Sequence, residues 1–327
     1  MEIFNPNANI PFMRWRKLSM TVSCVLMALA VVLLISRGLN FALDFTGGTL
    51  VEARFAQPVP TADVRAALEK GGFSEFTVQS IGSGEEVAMR LPPEAADMIA
   101  QKQAEEGGEP VEVEASATAE HVKSALAAAG LEATIKRSEF VGPQVGKELA
   151  EDGVVAVVFV IITIMIYVAL RFEWRFGVSA IAGEVHDTLL TVGFIAAVGM
   201  DFDLTVLAGV LTVVGYSIND KVVVFDRVRE IFRSARKLSA EDSINKAINN
   251  TLSRTLITGV TTIMALSTLY FLGGPVLEGF AATVLFGVIV GTLSSIFFCN
   301  PILLWMGVSK QDLIKVTKDD PELALRP

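Results

Sequence analysis

The 327 residues are 52% hydrophobic and only 19% charged, and a mean hydropathy of +0.52 excludes an ordinary soluble domain. The net charge of −9 is unevenly spread: basic residues gather at the ends of apolar runs, whereas much of the acid lies between Glu52 and Glu151. Two cysteines in separate apolar runs, Cys24 and Cys299, and two distant histidines, His121 and His186, make neither a disulfide framework nor a metal site.

Residues 1–17 are polar and basic, and residues 18–36 form an apolar run. Its length and the lack of a small-residue cleavage site favour an uncleaved transmembrane helix over a secretory signal. A soluble stretch follows at 37–152. Five further apolar runs, at about 153–170, 177–199, 204–225, 256–272 and 279–306, can each cross a hydrocarbon core of about 30 Å. A basic loop is expected at 226–255 and a tail at 307–327.

Six spans put both termini on one side, and the distribution of Lys and Arg selects the cytoplasm. Arg14, Arg16 and Lys17 precede the first span, and Arg171 and Arg175 join the second to the third. Arg227, Arg229, Arg233, Arg236, Lys237 and Lys246 join the fourth to the fifth, and Lys310, Lys315 and Lys318 follow the sixth. The connection at 200–203 carries two aspartates and that at 273–278 has no Lys or Arg, so both are expected on the opposite side with the soluble region.

Within that region, Gly48 to Phe55 reads as a strand, and Thr61 to Lys70 reads as a helix stopped by Gly71-Gly72. Phe76 to Ile81 and Val87 to Leu91 flank a Gly-Ser-Gly turn, the pattern of a hairpin. A second helix is expected from Ala119 to Ala129 and a last strand from Leu131 to Ser138. The order β-α-β-β-α-β suits a ferredoxin-like α+β domain, interrupted at 95–116 by a Glu-, Gln-, Ala- and Gly-rich insertion.

Charged residues inside apolar helices need a physical reason, because a carboxylate at the bilayer centre costs about 2.5–3.5 kcal/mol on insertion scales. Asp220 lies about 24 Å along the fourth span from Leu204, in the half nearer the basic loop, between Asn219 and Lys221. A local hydrogen bond or solvation through the loop would account for it. A protonatable group, tuned by burial and a cationic partner, would account for it too. Lys221 points about 100° away from Asp220 and is expected to snorkel to the surface. Arg254, at the start of the antiparallel fifth span, is a partner for Asp220 or an interfacial anchor. In the third span Glu184 and Asp187 share a helix face beside His186, either as a buried hydrogen-bonded group or as part of a relay. No phosphate-binding glycine loop is present, so energy from ATP would have to come from another protein.

Six ordered motifs, LDFTGGT, VGPQVGKEL, HDTLLTVG, GYSINDKVVVFDRVRE, LSRTLITG and LGGPVLEGF, resemble the SecF family of the bacterial SecDF protein-export complex over nearly the whole chain. The resemblance implies a polytopic α-helical protein of the resistance-nodulation-division superfamily, in the bacterial inner membrane, with its soluble domain periplasmic. It implies a proton-driven export subunit rather than an enzyme, with the proton as coupling ion and no cofactor. Implied partners are SecD, the SecYEG translocon with YajC and YidC, the translocating polypeptide and membrane lipid, but no nucleic acid. The proton-pathway residues of the family fall on Asp220 and Arg254, with Asp187 as the matching member of the His-Asp pair. Asn219, His186 and Lys221 become modulating residues, Lys221 standing where relatives carry a small hydroxyl residue. The rival readings are a small-molecule efflux subunit of the same superfamily and a passive scaffold.

Overall fold

A computed structural model describes residues 9–81, 84–93, 115–234 and 238–309. The chain divides into two compact units, one spanning Phe41–Ala156 and the other built from the segments on either side, up to Asn40 and from Val157 onward. The basic residues Arg236, Lys237, Lys310, Lys315 and Lys318, and most of the insertion expected at 95–116, lie outside the described residues.

The chain enters its first span as α1 (Arg16–Arg37) and then builds the soluble unit. The elements there are β1 (Gly48–Phe55), α2 (Thr61–Lys70), β2 (Thr77–Ile81), β3 (Glu86–Leu91), α3 (Ala115–Ala128) and β4 (Ala133–Val141). The sheet order is β2-β3-β1-β4 with every neighbouring pair antiparallel, which is the ferredoxin-like split arrangement expected from the element order. Alternation along β1 turns Val51, Ala53 and Phe55 inward against Val64 and Leu68 of α2 and Val122 and Leu126 of α3. Each such fully buried aliphatic side chain stabilises by about 1.5–3 kcal/mol.

Two of the glycine motifs meet in this unit. Gly48 has φ +113°, and a Cβ there would lie 2.2 Å from the carbonyl oxygen of Leu91, so β1 can start beside β3 only with glycine. A Cβ on Gly146 would lie 2.8 Å from the backbone nitrogen of Gly47. The TGG turn and the GPQVG segment are therefore in backbone contact although about a hundred residues separate them in the chain.

The remaining helices are α4 (Pro143–Arg171), α5 (Trp174–Val198), α6 (Leu204–Ser234), α7 (Ala240–Leu272) and α8 (Pro275–Ser294). A π turn at Ser295–Cys299 then leads into α9 (Asn300–Trp305). Pro301 explains the widened turn, because it has no N–H to donate to the carbonyl four residues back. The Asn300 side chain donates to the Ser295 carbonyl instead, at 2.6 Å. Among the described residues six helices are long and apolar enough to cross a membrane, the last formed by α8, the π turn and α9 together. Half of the most apolar stretch of α5 and of α6 is buried, against 6% for α1 and α4. The α5, α6 and α8 helices thus form the inside of this unit, and α1 and α4 line its apolar outer surface.

The basic segment expected as a loop at 226–255 is mostly helix. The α6 helix continues to Ser234, and α7 begins at Ala240, where Ser239 caps it by accepting from the Asp242 N–H at 3.0 Å. The extra turns of α7 are amphipathic and bury Ile244, Ala247 and Ile248 in the same core as Phe12 and Met13. Asn245 accepts from the Met13 N–H at 2.9 Å, and Arg16 pairs with Glu241 at 2.7 Å. At the far end of α6, Arg229 pairs with Glu173 at 2.7 Å and Asp226 pairs with Arg171. Arg16, Arg171 and Arg229 are thus tied into helix ends. The second span likewise starts earlier than the expected residue 153, because the polar PQVGKELAED stretch is already helical in α4.

Candidate functional site

Facing positions on α5 and α6 carry opposite charges. Glu184 and Asp187 are three apart on α5, and Ser217 and Lys221 are four apart on α6, so each pair lies along one helix face. The helices approach closely enough for these faces to meet because α5 has glycine at 183. A Cβ there would lie 2.7 Å from Cε of Lys221 and 2.2 Å from Sγ of Cys299.

The Lys221 ammonium sits in the gap, with the residue fully buried. It donates to Asp187 Oδ2 at 2.8 Å, to Glu184 Oε2 at 3.0 Å and to the Ser217 hydroxyl. All three of its N–H groups are therefore used. Asp187, also fully buried, accepts further bonds from the Ser217 hydroxyl, from Ser294 of α8 at 2.6 Å, and from Nδ1 of His186 at 2.7 Å. The His186 ring stacks on Phe298 with centroids 4.2 Å apart. Two buried atoms at the edge of this network, Glu184 Oε1 and His186 Nε2, have no hydrogen-bond partner among the described residues.

This arrangement corrects the expectation for Lys221. It does not snorkel, because two carboxylates on the facing helix compensate its charge inside the protein. Its solvation shell is replaced by oxygens from α5 and its own helix.

Asp220 occupies a different face of α6 and is 4% exposed. Its carboxylate accepts from Thr292 of α8 at 3.4 Å, a long hydrogen bond. Arg254 is exposed on α7 and forms no ion pair with Asp220, although its charge reaches the carboxylate through space. The expected contact across the α6–α7 pair is therefore absent among the described residues, and α8 supplies the neighbour instead. Asn219 is exposed.

Sequence reasoning singled out both carboxylates of α5 and the Asp220–Lys221 pair of α6 but did not join Lys221 to the carboxylates, and it missed Ser217, Thr292 and Ser294. Ser217 had a usable signal, its four-residue spacing from Lys221. Ser294 and Thr292 had none, because which face of α8 turns inward is decided by packing.

The sequence from residue 121 to 309, which contains every member of this site, matches the family model for the SecD/SecF protein export membrane protein C-terminal region. Residues 32–59, with Gly47 and Gly48, match the SecD/SecF GG motif. A protein translocase subunit SecF from Vibrio alginolyticus is 39% identical over 328 residues, covering 100% of this chain and 99% of that protein. The chain belongs to the SecF family. A second SecF, from Pseudomonas aeruginosa, is 40% identical across 95% of this chain and 97% of its own. Among solved structures, the crystal structure of SecDF, a translocon-associated membrane protein from a Thermus species, superposes with a TM-score of 0.79 at 34% identity. The match covers 94% of this chain and 40% of the solved one. A super-membrane-facing form of SecDF superposes with a TM-score of 0.63. This SecF-family chain is thus a multi-pass inner-membrane protein that spans well under half of the solved SecDF chain.

Proposed function

We propose that this chain is the SecF-type half of a proton-driven export device, in which Asp220 takes up and releases the coupling proton. The observation that carries the reading is the state of Asp220. It is a buried carboxylate in a membrane span, held among the described residues by one long hydrogen bond, with the exposed Arg254 of α7 out of contact. A carboxylate so placed is weakly committed to its neighbours, and protonation removes its attraction to Arg254. The α6, α7 and α8 helices that carry Asp220, Arg254 and Thr292 then exchange one arrangement for another. An elementary charge moving through the membrane potential is worth about 2.3 kcal/mol per 100 mV, enough to bias a two-state element.

In this reading Asp187, with four donors around it, orders the helices behind Asp220, and Lys221 and His186 hold it there. The portion of the solved SecDF chain left uncovered by this one supports SecD as the partner that completes the bundle. The complex would assist export of a polypeptide through SecYEG, with YajC and YidC as accessory proteins. The positive charge around the start of α1 and between α6 and α7 supports a cytoplasmic position for both termini and a periplasmic one for the soluble unit. No cofactor is needed beyond the proton.

The test is gradient-dependent translocation of a secreted protein into vesicles carrying Asp220→Asn. Stimulation by the gradient should be lost while SecD still co-purifies. Undiminished stimulation would overturn the role of Asp220 and leave the scaffold reading.

A further inference from the structure

The buried cluster on α5 and α6 does not balance its charge. Lys221 supplies one positive charge, while Asp187 and Glu184 supply two negative ones. His186 does not make up the difference. Its Nδ1 donates to Asp187, and a second proton on Nε2 would be a buried donor with no acceptor among the described residues. Among the described residues no other charged side chain is bonded to the cluster. On α8 the facing group is the Ser294 hydroxyl, and from the π turn it is the Cys299 thiol beside Gly183 and the Phe298 ring on His186. Asp220, on the same helix as Lys221, bonds to Thr292 instead. An excess negative charge in a low-dielectric interior is expensive, and a proton relieves it.

The two carboxylates are not equivalent. Asp187 is sealed and receives four donors, which hold it as the ionised member. Among the described residues Glu184 has a single donor, Lys221 on Oε2, and its Oε1 is bare. Its side chain alone of the three retains exposure, 12% against 0% for Lys221 and Asp187, although Oε1 itself is buried just inside that exposed edge. We infer that Glu184 is a second proton-binding group of the membrane unit, taking a proton on Oε1 at the rim of the Lys221–Asp187 pair. Hydronium delivers the proton from the rim and leaves as water, and release reverses the step. The site is separate from Asp220, so it stands whether or not Asp220 is the coupling group.

Infrared difference spectroscopy on the full-length chain in lipid nanodiscs tests this. Between about pH 6 and pH 9 surface carboxyls stay ionised, so a protonated-carboxyl C=O band that appears on the acid side reports a buried group. A component of the band should shift when the protein is labelled with carboxyl-13C glutamate, and that component should persist in Asp220→Asn and vanish in Glu184→Gln. The labelled wild-type protein needs no variant to fold. A band with no component that moves with the glutamate label, a label-sensitive component that persists in Glu184→Gln, or the lack of any band in the wild-type spectrum would overturn the inference. Loss of gradient-stimulated export in Asp220→Asn with the band retained would separate the two sites.

Discussion

Replacing Lys221 by Met removes the central cation while keeping an unbranched side chain of similar length. Three hydrogen bonds disappear, to Asp187, Glu184 and Ser217. Two of them, to Asp187 and Glu184, cross between helices, and interhelical hydrogen bonds in membranes average about 0.6 kcal/mol, so these bonds alone predict a loss of about 1 kcal/mol. The larger effect is electrostatic, because Glu184 loses its one donor and Asp187 keeps only neutral ones. Breaking a buried ion pair by removing one partner costs about 3–5 kcal/mol, and the expected loss for Lys221→Met is in that range. Neutralising the orphaned partners as well, in Lys221→Met with Glu184→Gln and Asp187→Asn, should recover most of it. Reversible unfolding of the purified chain in mixed micelles, titrated with a denaturing detergent, measures all of these. A loss below about 1 kcal/mol for Lys221→Met, or no recovery in the triple variant, would refute the view of this lysine as the charge that joins α5 to α6.

Gly183→Ala should destabilise by about 1–3 kcal/mol in the same assay, since the new methyl group meets Cys299 Sγ and the Lys221 stem. Adding Cys299→Ala should return part of that loss, and strict additivity of the two changes would contradict the contact. In the soluble unit, the hydrogen bond from Lys136 holds the Glu86 carboxyl below its ordinary range, ahead of the opposing effect of desolvation and of the charges of Lys136 and Arg54. A depressed folded value means that this contribution to stability is present above the unfolded value and is lost as pH falls through the folded one. Carboxyl NMR titration of the full chain should therefore show Glu86 titrating at higher pH in Lys136→Met than in the wild type, and an unmoved titration would count against the interaction.

Much of the fold was legible because it depends on local periodicity. The alternation in GTLVEARF, the glycine stop after Lys70 and the Gly-Ser-Gly turn are short-range signals, and the strands and helices they announce are present. The segment 226–255 was misread because its charge density hides an amphipathic pattern. Ile244, Ala247 and Ile248 lie at helical spacing behind a Ser239 cap, yet the charges around them lower any hydropathy average. The site was harder. Asp220, Lys221, Glu184 and Asp187 stood out as charges in apolar helices, but the residue beside Asp220 in the chain belongs to a different cluster. A turn of about 100° per residue sends adjacent side chains to different neighbours.

The sequence by itself determined that the chain crosses the membrane, how many times, the order of elements in the soluble unit, and which side chains are anomalous in a bilayer. These follow from composition, from spacing within one element and from the cost of burying charge. Only the tertiary structure decided how the anomalous side chains are compensated. Lys221 is drawn into the α5 carboxylates because Gly183 leaves room for its stem, Asp220 is left with Thr292, and Arg254 stays exposed. Pairing of this kind depends on which faces of α5, α6 and α8 touch. That is a property of packing between segments distant in sequence, on which local periodicity is silent.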